Sequence, residues 1–301
     1  VSLAILRPTP IADAALLSSN VPEDATPAWS AVVSYALDQR VHLPAMHRVY
    51  QSLVAGNLGN DPTASSSAWV EVGPTNRWAM FDGALGVSTQ QLGDIEVRLR
   101  PGPTEALVAM GLAGSLLRVR LYTEPGGDLV LTREVSLRAG SVSDWWEWTM
   151  SPYEFRVQAT VAELPVYPDP EIVVTVVGVD DEPARCGELL LGQLVALGAV
   201  QFGVKLGITD YSRKETDDFG LTTLVKRANA KTLSAQLRLD ATHLSKVYEF
   251  LASVQATPIV AITDPSEDYD ALTLYGFVSD FSIDVALPRI HYCTLEVTGL
   301  T

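Results

Sequence analysis

The sequence predicts a mainly β protein: an antiparallel β-sandwich or jelly roll, followed by a second strand-rich domain carrying one packed α-helix. Three observations predict it. Residues 70 to 178 alternate apolar and polar side chains with period two, and Gly/Pro turns separate the runs. At 178 to 187 the composition shifts to the polar, acidic stretch "GVDDEPARCG", which marks a hinge between domains. After Asp240 the apolar spacing changes to three and four, the period of one amphipathic helix.

Residues 1 to 28 read as an extended arm. Pro8, Pro10, Pro22 and Pro27 each restrict their own φ and the preceding residue, and "IADAALL" has room for one helical turn at most. The arm has no basic leading region, so it does not read as a signal peptide. Residues 29 to 69 form a small β unit. "RVHL" and "HRVYQSLV" are strand candidates, "GNLGNDP" is turn chemistry, and so short a unit must lean on its neighbours.

Within residues 70 to 178, Ile95, Val97 and Leu99 oppose Glu96, Arg98 and Arg100. Leu117, Val119 and Leu121 oppose Arg118, Arg120 and Tyr122; Phe155, Val157 and Ala159 oppose Arg156, Gln158 and Thr160. "PEIVVTVVG" is a near-continuous apolar strand. Residues 187 to 301 open with "ELLLGQLVALGAVQFGVKLGI", whose glycines suit twisted strands. Leu233, Ala235, Leu237 and Leu239 give a half-buried strand. Asp240 is the expected N-cap of a helix over about 241–255, with Leu244, Val247, Tyr248, Leu251 and Val254 as its apolar stripe and Thr257-Pro258 as its stop. "HYCTLEVTGL" places Cys293 on an apolar face.

The composition narrows the function. A net charge of −15 argues against a nucleic-acid partner, because phosphate binding needs a basic surface. No apolar run is long enough for a membrane span. Cys186 and Cys293 have no C-x-x-C partner, and His42, His47, His243 and His291 are scattered, so neither a zinc site nor nucleophilic catalysis is expected. Asp180, Asp181, Glu182, Asp217 and Asp218 are adjacent acids on loops, without the spacing of a glycosidase pair or an EF-hand. No Walker or dinucleotide loop is present, so no cofactor is expected.

Two features remain as candidate sites. Trp29, Tyr35, Tyr50 and Trp69 punctuate the small unit and could stack on sugar rings. Trp145, Trp146 and Trp148 form a second cluster, whereas Trp78 and Phe81 read as core. The loop "DYSRKETDDFG" carries Tyr211, Arg213, Lys214, Glu215, Asp217, Asp218 and Phe219 between apolar segments. It reads either as an exposed hairpin tip or as an interlocking loop whose mixed charge pairs with another copy of the chain.

"WSAVVSYALDQRVHLPAMHRVYQSLVAGNLGNDPTASSSAW" resembles small chitin-binding-like modules. "WVEVGPTNRWAMFDG", "CGELLLG", "LGITDYSRKETDDFGLTTLVKRANAK" and the ending "CTLEVTGL" resemble tail proteins of tailed phages and prophages, of the distal-tail type found at the tail tip or baseplate. That resemblance implies a non-enzymatic virion protein, assembled in the bacterial cytoplasm. Residues 187 to 301 would be a tail-tube-like β domain forming a ring, six-fold in this group, around the channel through which DNA passes. The sandwich would sit outside it, and the tail tube and hub would be neighbours. The alternative expectation is a saccharide-binding module that attaches the virion to host surface glycan.

Overall fold

The strand Glu188–Val200 runs through two cores, and the architecture follows from it. The computed structural model describes residues 2–139, 144–146, 154–179, 182–201, 203–216, 220, 222–263, 272–285 and 289–300. The protein is mainly β, with antiparallel sheets and an amphipathic helix, Leu244–Ser253.

At its start, Glu188–Val200 pairs with Ala106–Met110, which pairs in turn with Gln158–Val161. These strands face a five-stranded sheet ordered Leu129–Ser136, Leu116–Tyr122, Glu171–Val177, Ile95–Leu99 and Leu16–Ser19. The alternation read from sequence sets the core between the layers. Ile95, Val97, Leu99, Leu117, Val119 and Leu121 meet Leu107, Ala109, Leu189 and Leu191 there. Their polar alternates carry ion pairs on the outer face, Arg98 with Glu171 and Arg120 with Glu96 among them.

Further along, the same strand pairs with Ser2–Pro8, and the sheet continues through Ile259–Ile262, Thr273–Asp284, Ile290–Gly299 and Asn229–Asp240. Ala199 and Val200 then pair with Arg238 and Leu237. The six strands therefore close into an antiparallel barrel, a closure that removes open edges. Leu3, Ile5, Leu197, Leu237, Cys293 and Leu295 fill it, and the helix adds Val247, Leu251 and Val254 to the same cluster. Leu6, Val108, Leu190, Val260 and Tyr275 form a third cluster on the opposite face of these strands.

Several elements differ from the sequence expectation. The arm contributes a barrel strand, Ser2–Pro8, and a sandwich strand, Leu16–Ser19, so it stitches the two sheets together. The stretch expected as a hinge holds the strand Pro183–Cys186, paired with Thr89–Leu92; Asp180 and Asp181 lie outside the described residues. Phe155 and Val157 are 39 % and 64 % exposed, because the chain leaves the sheet between Glu154–Phe155 and Gln158–Val161.

Asp240 makes no side-chain cap; a 3-10 turn, Ala241–His243, precedes the helix instead. Tyr248 is exposed and meets Phe281 edge-on, with Phe250 half-buried in its place. Ala256, in the left-handed region at φ +55°, turns the chain before Pro258.

Candidate functional site

The described residues between 205 and 228 form an exposed arm beside the barrel wall. Lys205–Asp210 pairs along Asn229–Ser234, with Lys205 opposite Ser234 and Asp210 opposite Asn229. Arg213–Thr216 then pairs with Thr222–Val225 in a separate hairpin. Every residue of these three strands is exposed, and among the described residues no strand covers the other edge of Lys205–Asp210.

Local chemistry shapes the bend between strand and hairpin. The Ser212 amide donates to Asp210 Oδ1 at 2.8 Å, the Arg227 amide to Ser212 Oγ at 3.1 Å, and the Tyr211 amide to the Ala228 carbonyl at 3.2 Å. The Ser212 hydrogen bonds, from side chain and backbone, hold the Asp210 carboxyl below the usual carboxylate range.

Of the seven expected assembly residues, Tyr211, Arg213, Lys214 and Glu215 lie on this arm, all exposed, Tyr211 at 50 %; Arg213 and Glu215 pair along one strand at 3.4 Å. Asp217, Asp218 and Phe219 lie outside the described residues. Leu206, Ile208 and Leu224 were not expected here. Leu206 and Ile208 end the glycine-broken apolar run that reads as twisted strands; the three are 49 %, 69 % and 71 % exposed. The reason is one-sided support: Lys205–Asp210 is hydrogen-bonded along a single edge and no second layer covers it.

The aromatic residues of the small unit are placed differently from the sugar-platform expectation. Arg40–Leu43, Arg48–Ser52 and Trp69–Pro74 form a three-stranded sheet, and Ser34–Tyr35 pairs with Asn57–Leu58. Tyr35, Tyr50 and Trp69 are buried between them with Val41 and Ala68. Trp69 meets Tyr35 edge-on at 5.4 Å and donates from Nε1 to the Asn60 carbonyl at 3.0 Å. The Tyr35 hydroxyl accepts from the Ser30 amide at 2.7 Å. These three rings are the core of the unit and present no open face; only Trp29, packed at its margin, is part-exposed. Trp78 is buried, as expected, and Trp145 and Trp146 are 77 % and 69 % exposed, while Trp148 lies outside the described residues.

Among the described residues no group of three His, Cys, Asp or Glu side chains is placed to hold a metal ion. Burial raises the Cys186 thiol to about 12 and the Cys293 thiol to about 11, so both stay protonated and unreactive at neutral pH. No protein-family model matches the chain, and no curated protein matches it.

Proposed function

We propose that this chain is a structural component of a phage tail tip or baseplate, of distal-tail type, which works by assembly and not by catalysis. In this reading copies of the barrel-bearing part form a ring around the tail channel, the sandwich and small unit lie outside it, and tail tube and hub proteins are the neighbours. The chain would be assembled in the bacterial cytoplasm and function in the virion.

One observation carries the reading: an exposed strand and hairpin bearing outward Leu206, Ile208 and Leu224. An uncovered apolar edge is a template for pairing with another chain, and proteins that stay single blunt such edges. Its charge supports a second copy as partner. Residues 205 to 228 hold five basic and four acidic side chains, whereas the chain holds 21 basic and 36 acidic, so the arm departs from the acidic balance of the rest.

Deleting Arg213 to Asp218 tests it. The expected result is a folded subunit, by unchanged far-UV circular dichroism, that no longer forms rings in electron micrographs. Normal rings from the deletion would overturn the assembly role.

A second reading, attachment to host glycan, is favoured by the exposed neighbours Trp145 and Trp146. Replacing both with Ala would then abolish retention on a host cell-wall glycan column while leaving the melting temperature unchanged. Equal retention by the variant would remove the reading.

A further inference from the structure

One histidine joins the small unit to the rest of the molecule. His47 closes the turn between Arg40–Leu43 and Arg48–Ser52 at φ +53°, a conformation that costs a side-chain-bearing residue energy unless its surroundings hold it. Its Nε2 lies 2.6 Å from Asp13 Oδ1, and its Nδ1 lies 2.8 Å from Glu23 Oε1. Its ring stacks on Trp78, with centroids 4.1 Å apart and planes at 23°.

The three partners all belong to the body. Asp13 lies in the turn between the arm's barrel strand and its sandwich strand. Glu23 follows Val21, which is fully buried in the sandwich core. Glu23 is itself fixed, since Thr75 Oγ1 donates to its Oε1 at 2.9 Å and Arg77 pairs with its Oε2 at 3.1 Å. The Thr75 amide donates to the His47 carbonyl at 2.8 Å. Beside the ring is a cleft of about 600 Å³, where Arg48 and Asp82 are the other charged groups.

Carboxylates only accept hydrogen bonds, and a neutral imidazole has one N–H and one lone pair. Facing two carboxylates, a neutral ring must set its lone pair against an oxygen on one side. Both short contacts are attractive only when both nitrogens carry protons. We propose that His47 is a proton-operated clasp, holding the small unit against the body while the ring is doubly protonated and loosening it when one proton leaves. The proposal is independent of any ring assembly.

Its direction follows from the surrounding groups. Raising the pH removes the second ring proton, so the hold weakens as pH rises.

Amide hydrogen exchange on the whole chain at pH 6 and pH 8, corrected for intrinsic rates, tests the clasp. The reporters are the Thr75 amide and the strand Arg48–Ser52. Protection at pH 6 is expected to exceed that at pH 8, because both short contacts are attractive only while both ring nitrogens carry protons. His47→Asn tolerates the backbone conformation and should show equal protection at both pH values. Asp13→Asn keeps the ring and its stacking but removes one anion, and should shrink the difference. Equal protection of the unaltered protein at both pH values would overturn the proposal. So would a full pH difference surviving in either variant.

Discussion

At Glu188 a carboxyl group lies wholly inside the protein, on the strand face that carries Leu190 and turns away from the sandwich core. Its nearest polar groups are the Asp82 carboxyl and the amides of Gly83 and Ala84, and neither of its oxygens reaches full hydrogen-bonding geometry. Burial, reinforced by the neighbouring Asp82 carboxyl, raises Glu188 to about 9. It is therefore neutral at pH 7, as a buried carboxyl without a cation must be. The unfolded chain releases this proton in the ordinary carboxylate range, while the folded protein keeps it until about pH 9. Stability from this group is thus fully present below the unfolded value and is lost as pH rises toward 9. Glu188→Gln should flatten that fall, whose limit for one proton is about 1.4 kcal/mol per pH unit. Urea denaturation between pH 5 and 9 measures it, and parallel curves for the two proteins would refute the assignment. "CGELLLG" gives no hint of this: a Glu at the head of an apolar run reads as its polar end. Burial comes from Tyr275, 87 residues distant in sequence, whose hydroxyl donates to the Gly83 carbonyl at 3.2 Å and helps hold the 82–84 turn over the carboxyl.

Single strands were legible wherever one face is wet. Leu117, Val119 and Leu121 are 0 %, 1 % and 1 % exposed, and their alternates bear the arginines that alternation assigned outward. Legibility failed at one strand with two buried faces and at one with none, although Glu171–Val177, also buried on both faces, was legible from its long apolar run. Ala106–Met110 is buried throughout, with Leu107 and Ala109 in the sandwich core and Val108 and Met110 in the third cluster, so it has no polar alternate to announce it. Lys205–Asp210 sets Leu206 and Ile208 among polar residues, the pattern of a half-buried strand, yet it is exposed throughout. Alternation marks the face that could be covered, and does not record whether a layer folds over it. The aromatic residues of the small unit make the same point. Trp69 and Tyr35 have the ring chemistry of a sugar platform, and their burial depends on which short strands close over them.

On the scale of the molecule, the division near 178 to 187 that composition suggested is bridged by pairing. Glu188–Val200 gives Leu189 and Leu191 to the sandwich core and Leu197 to the barrel, and the arm repeats the connection from the other end of the sequence. Gly192 stands at the crossing, opposite both Pro8 and Ala106. A Cβ there would sit 2.1 Å from the Arg7 carbonyl oxygen, so even alanine must push the strands apart. A strand shared by two cores couples their unfolding, since neither core can lose it and stay closed. Hydrogen exchange should accordingly give Leu117–Leu121 and Cys293–Val297 the same opening free energy, and Gly192→Ala should lower both by the same amount. The small unit, with its own core of Tyr35, Val41, Tyr50, Ala68 and Trp69, should open at lower free energy. Separate opening energies for sandwich and barrel, with the substitution shifting one alone, would show that the chain is two independent domains after all.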